Sequence, residues 1–213
     1  LTTLHYYVIG DPLTLLAVFV PESKTETLYA FLIFLRIYLA GIAFSRYSFY
    51  HKNSKQATFM GTMIYIFAGW TIYAAMKHPY FSNPMIYLPL ILLGIDKIYK
   101  KEKPYLFICA TAVAAMSSFY FFYMISIFMV LYAAFRYFGL FRKRSVKDVF
   151  QWFLKFTGFY LVALMLAATI FLPVVMTLFG TERFQAQNYV PLFYDRIYYE
   201  KYLGCLIGEN MIQ

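Results

Sequence analysis

An all-α, polytopic integral membrane bundle is the fold class this sequence predicts, on three observations. Hydrophobic residues make up 62% of the chain and charged residues 14%, against roughly 45–50% and 25% in soluble globular domains. The apolar residues fall into six runs, most of them close to the about 20 residues that a spanning helix needs. Twelve of the 19 Lys and Arg residues collect in three connections, every second one along the chain. That alternation is expected when basic loops stay cytoplasmic. The formal charge of +9 therefore reads as membrane topology, with the bilayer as partner and no nucleic acid.

The chain starts at Leu1 with neither an initiator Met nor a signal-peptide pattern, and is expected to be an internal piece of a longer protein. It reads as one transmembrane domain over 1–213: an external stretch 1–26, a bundle 27–178 and an external segment 179–213. In the first stretch, Gly10-Asp11-Pro12 precedes an apolar run, Leu13 to Val20, that is too short to span. Asp at the cap position with Pro next starts a helix well, so a short helix lying in the outer interface is expected. Asp11 is then either a cap or a general base or metal ligand beside an external site.

Segment A runs from Thr27 to Ser48 and carries Arg36 near its middle. A cation at mid-bilayer costs about 2.5–3.5 kcal/mol on insertion scales and turns to a bundle interior or cavity. Segments B, D and F hold no acid, and Asp96 sits at the far end of C. The expected partner is an upstream helix, a backbone carbonyl or an anionic ligand such as a lipid phosphate, with snorkelling as the remaining possibility. A polar face of A is expected to be covered by that upstream helix.

Segment B runs from Gln56 to Met76, and the loop Lys77-His78-Pro79-Tyr80-Phe81-Ser82 leads into C, Asn83 to Ile98. Ser82 or Asn83 as cap with Pro84 inside gives C a sharp start. Exposed N–H groups there attract anions, and Lys77 and His78 lie close by. Phosphate binding and ordinary capping account for these residues equally.

Segments D, Pro104 to Ser118, and E, Phe119 to Phe138, have no Gly or Pro between them. One helix over both would measure about 50 Å, too long for a core of about 30 Å. Basic clusters flank both ends of the run, so it is predicted to fold back at Ser117-Ser118. Tyr120 and Tyr123 share a face at the start of E, as an aromatic belt or as the lining of a substrate groove. Segment F runs from Trp152 to Leu178; Pro173 in F and Pro89 in C are expected to kink their helices. In the tail, Glu182, Arg183, Asp195 and Arg196 read as solvated or paired surface charges.

The basic connections hold Arg46, Lys52 and Lys55; Lys97, Lys100, Lys101 and Lys103; and Arg136, Arg142, Lys143, Arg144 and Lys147. Cys109 and Cys205 form no metal or redox spacing, and Cys109 is expected to be a small core residue. No Walker loop, HExxH, GxSxG or CxxC pattern occurs, so no cofactor is evident and a divalent metal stays open.

The stretch "NPMIYLPLILLGIDKIYKKEKPYLF", followed by "SSFYFFYMISIFMVLYAAFRYF", resembles the bacterial YfhO-type membrane proteins. So do "YYVIGDPLTLLAVFVP" and "LRIYLAGIAFSRY", in the same order along nearly the whole chain. The resemblance implies a GT-C-type membrane glycosyltransferase of the bacterial plasma membrane. Such a protein takes sugar from a polyprenyl-phosphate donor and adds it to a cell-envelope polymer such as a teichoic acid, on the outer face. Its acidic site is expected in an external loop upstream of Leu1, which leaves Asp11 as the acid nearest to it here. Ser118 stands where the family often has Asn. Arg36, Lys77, His78, Asn83, Tyr120 and Tyr123 are then the candidates to meet the lipid phosphate and sugar. A lipid or small-anion transporter, which places broken helices and charges at the midplane, and a non-catalytic envelope assembly protein are the alternatives.

Overall fold

The computed structural model describes residues 10–140 and 146–179 of the chain, and among these residues every regular element is helical. Two 3-10 turns, Thr14–Phe19 and Glu22–Lys24, lead into helix α1, Thr25–Tyr50. Then follow α2 Lys55–Ile66, α3 Gly69–Lys77, α4 Asn83–Tyr99, α5 Tyr105–Ser117, α6 Phe119–Leu140 and α7 Val146–Phe179. The chain's compact unit reaches Thr177. Among the described residues, three stretches are long and apolar enough to cross a membrane: 22–50, 119–140 and 147–177.

Contacts at matched levels fix the helix directions. Arg36 of α1 meets Asn83 of α4, and fifteen residues on His51 meets Asp96, so α1 and α4 run together. α2 returns, its Thr58 and Thr62 hydroxyls paired with Ser48 and Ser45 of α1. Helix α5 runs against α4, from Phe107 beside Gly94 back to Ser117 beside Asn83. α6 descends again to put Arg136 on Asp96, and α7 returns, with Trp152 near Tyr99 and Tyr160 stacked on Phe122. The connections at 51–54 and 100–104 thus lie at one end of the bundle, with the end of α6. Asp11, Asn83 and Ser117 mark the other.

Small residues allow the close approaches. A Cβ on Gly94 would lie 2.7 Å from the Phe107 Cα, and one on Gly41 would meet Ile66 and Thr62 at 3.5 Å. Membrane helices use such residues because association there rests on packing and interhelical hydrogen bonds, without a hydrophobic drive between helices. The core between α4, α5 and α6 is built from Ile91, Ile95, Ile98, Phe107, Phe122 and Ile125.

The fold-back at Ser117-Ser118 is present: α5 ends at Ser117, Ser118 is extended at φ −162° and ψ 120°, and α6 begins at Phe119. Three expectations need correction. Segment B is two helices, because α2 stops at Ile66 and α3 starts at Gly69; the intervening Phe67 and Ala68 amides turn back onto Met63 and Tyr65 carbonyls. Cys109 is exposed on α5 instead of buried, since Phe107, Ala110 and Thr111 carry the packed side of that short helix. Instead of a helix upstream of Leu1, Arg36 pairs with Asp11 of the same chain, and its Nη1 also lies 3.5 Å from the Leu32 carbonyl. The tail charges and Cys205 lie outside the described residues.

Candidate functional site

Gly10 begins the site. It packs so tightly on the Ser117 end of α5 that a Cβ would run into the Met116 carbonyl, with Ile170 of α7 also against it. This contact draws the next residue into the bundle instead of leaving it in the interface. Asp11 is fully buried, and its backbone carbonyl accepts from the Thr14 and Leu15 amides. The 3-10 turn is capped at Leu13 without a side-chain bond, while the Asp11 carboxylate bonds just before it: Oδ1 accepts from the Leu13 amide at 3.1 Å and Oδ2 from the Thr14 hydroxyl at 2.7 Å. The turn that follows is 3-10, with Val18 and Phe19 exposed at its end.

Oδ2 of Asp11 also receives the Nη2 of Arg36 at 2.5 Å. The same Nη2 reaches Thr14 Oγ1 at 3.1 Å, while Nε donates to Asn83 Oδ1 at 2.8 Å. The carboxamide of Asn83 passes the network on, donating to Ser117 Oγ at 2.9 Å. Arg36, Asn83 and Ser117 are all buried. One cluster thus ties the segment before α1 to α1, α4 and α5. Two opposite charges with bonded neighbours satisfy the condition for an ion pair in a medium without water.

The cluster engages the start of α4 as well. Ser82 precedes the helix without capping it: its hydroxyl donates to the Pro79 carbonyl. Both Ser82 and Asn83 are buried, so the exposed helix start expected for an anion is covered. Lys77 and His78 are exposed on the rim, as are Tyr120 and Tyr123 at the head of α6. A run of ring contacts joins these groups, His78 to Phe81 at 5.0 Å, Phe81 to Phe121 at 5.0 Å and Phe121 to Tyr120 at 5.3 Å. The candidates therefore divide: Asp11, Arg36 and Asn83 form one buried knot, and Lys77, His78, Tyr120 and Tyr123 stand exposed.

A second polar cluster, at the other end of the same helix pair, escaped sequence reasoning. Asp96 has a fully buried side chain. It takes the Nε of Arg136 on Oδ1 at 2.6 Å and the Tyr132 hydroxyl on Oδ2 at 2.7 Å. His51 Nε2 lies 3.0 Å from Oδ2, and the Tyr47 hydroxyl is 3.0 Å from that of Tyr132. The available signal was Tyr132 and Arg136 one turn apart on α6, which place two donors on one face. Nearby, outside the apolar core, Tyr50 donates to Glu102 at 2.8 Å. That bond, followed by the neighbouring Lys97, holds the exposed Glu102 carboxyl below the ordinary carboxylate range. Among the described residues no group of His, Cys, Asp and Glu could hold a metal ion.

The model of the family described as "Bacterial membrane protein YfhO" matches residues 1–210. The chain is also similar to "Uncharacterized protein YfhO" of Bacillus subtilis (strain 168), 32% identical over 123 residues. That similarity covers 54% of this chain and 14% of the relative's length. No solved structure matches. With a match over almost its full length, joined to an apolar helical bundle of the kind the sequence predicts, the chain belongs to the YfhO family of bacterial membrane proteins.

Proposed function

We propose that this chain is part of a membrane glycosyltransferase of the bacterial plasma membrane, with the basic loops cytoplasmic. It moves a sugar from a polyprenyl-phosphate donor to an envelope polymer of the teichoic-acid type, at the opposite face. The observation that carries this reading is the buried Asp11–Arg36–Asn83 cluster, which holds the segment before α1 against three helices. In this reading the catalytic acid belongs to an external loop upstream of Leu1, and the segment that the cluster holds positions that loop.

In the reaction, the acceptor hydroxyl oxygen bonds to the anomeric carbon as the bond from that carbon to the phosphate oxygen breaks. The hydroxyl proton passes to the upstream carboxylate, and polyprenyl phosphate leaves. Asp11 is a positioning residue in this scheme, because both its oxygens already accept bonds. Arg36 is one too, since Nε and Nη2 point into the protein. The exposed Lys77 meets the phosphate by charge and His78 by a ring N–H, and Tyr120 and Tyr123 offer ring faces to the sugar.

The test uses the full-length protein reconstituted with polyprenyl-phosphate sugars and a teichoic-acid acceptor, with the product followed by mass spectrometry. Sugar appearing on the acceptor supports the transferase. A lipid or anion carrier is the second reading, favoured by one observation: the α1–α4 pair carries buried carboxylate clusters at two levels, at Arg36 midway along α1 and at His51 just past its end, about 22 Å apart by helix rise. Passage of the lipid carrier between leaflets without any transfer would replace the first reading with the second.

A further inference from the structure

Between α6 and α7, towards the end where α6 finishes, lies a cleft of about 410 Å³. Its walls include Val130, Ala133 and Ala134 of α6 and Trp152, Phe153 and Phe156 of α7. Several of its polar groups are already used. Ser126 bonds the Phe122 carbonyl at 2.8 Å and the Tyr160 hydroxyl at 3.0 Å, and the Tyr99 hydroxyl donates to the Ala133 carbonyl at 2.7 Å. A polar ligand would find little to bind there; hydrocarbon fits, because it asks for no hydrogen bond.

Charge stands at the edge of this apolar space. Lys155 is exposed on α7, and its ammonium lies 4.9 Å from the ring centroid of Trp152, a wall residue. Lys147 precedes it two turns earlier. The most apolar 18-residue stretch within 147–177 has a mean hydropathy of 2.4 and only 17% of it is buried, so that part of α7 demands a non-aqueous neighbour. Apolar walls beneath a cation are complementary to a molecule with an acyl chain and an anionic head, and basic residues at a membrane surface select such heads.

We infer that the α6–α7 cleft is a binding site for an anionic phospholipid of the leaflet at the Lys155 end, its acyl chain between the helices and its phosphate at Lys155. The probe is the full-length protein carrying a photo-crosslinking benzoylphenylalanine in place of Val130. It is reconstituted in vesicles of equal phosphatidylglycerol and phosphatidylcholine, and adducts are identified by mass spectrometry. Phosphatidylglycerol adducts should exceed phosphatidylcholine adducts about fivefold, and Lys155→Gln should bring the two near parity, since each basic residue near the surface supplies attraction of that order. Ala134→Trp, which fills the cleft, should abolish both. Crosslinks to another part of the same protein, a polyprenyl phosphate captured from the host in place of phospholipid, or a headgroup ratio unmoved by Lys155→Gln would each overturn the site. The exposed Lys155 variant keeps its packing, so it tests the headgroup even if the Trp variant fails to fold.

Discussion

At the scale of single residues, the Asp11–Arg36 cluster is governed by what happens when one member is removed. Arg36→Ala leaves the Asp11 carboxylate buried without its cation, and breaking such a pair costs about 3–5 kcal/mol. The double variant Asp11→Ala with Arg36→Ala removes both charges and is expected to melt above either single variant, in thermal unfolding of the full-length protein. The residue scale also supplies a pH dependence. Glu102 has a lowered folded-state affinity for protons because Tyr50 and Lys97 bond its charged form. Its contribution is therefore present above the ordinary carboxylate pKa of about 4.3 and is lost as pH falls through the lower folded value. Wild type is expected to melt above Glu102→Gln near neutral pH, and the gap to close in acid. The pairing of Asp11 with Arg36 was the least legible feature. Both residues stood out alone, but a pair 25 positions apart depends on Gly10 seating against the Met116 carbonyl. No periodicity encodes that contact. Asp96 was hidden for the same reason, its donors arriving from α1 and α6.

At the scale of elements, α4 and α5 approach closely at Gly94. Gly94→Val places methyl groups where the Phe107 backbone stands, 2.7 Å from even a lone Cβ. The backbone must move, and the expected loss is about 1–3 kcal/mol, read as a lowered melting temperature. Gly139→Val faces open space and serves as the control, expected to change little. Most element boundaries were legible. The length argument located the α5–α6 break at Ser117-Ser118, because the bilayer limits a helix whatever its neighbours. The break at Phe67-Ala68 was not legible. No Pro or charge marks it, and Gly69 sits just after it, a residue membrane helices often carry without stopping.

At the scale of the whole molecule, the charge pattern and the helix order agree. The 51–54 and 100–104 connections share one end, whereas Asp11 and Ser118 share the other, as alternating basic loops require. With the positive-inside rule, this makes a topology prediction for intact cells. A cysteine introduced at Lys101 should resist a membrane-impermeant maleimide, and one introduced at His78 should react. Labelling of the first from outside would reverse the proposed sidedness and put the outer cluster in the cytoplasm. The apolar, loop-alternating character was legible because the bilayer imposes it on every segment separately. Function was read only through the family resemblance, since the chain carries no Walker, HExxH, GxSxG or CxxC pattern.

We propose that the Asp11–Arg36 knot positions a catalytic loop as well as holding the bundle together. The most direct measurement compares sugar-transfer kcat with melting temperature for wild type, both single alanine variants and the double variant of the full-length protein. The account predicts that the double variant regains stability over the singles while its kcat stays as low as theirs, with the donor KM little changed. Transfer that recovers in step with melting temperature would contradict it, leaving the pair a purely structural one.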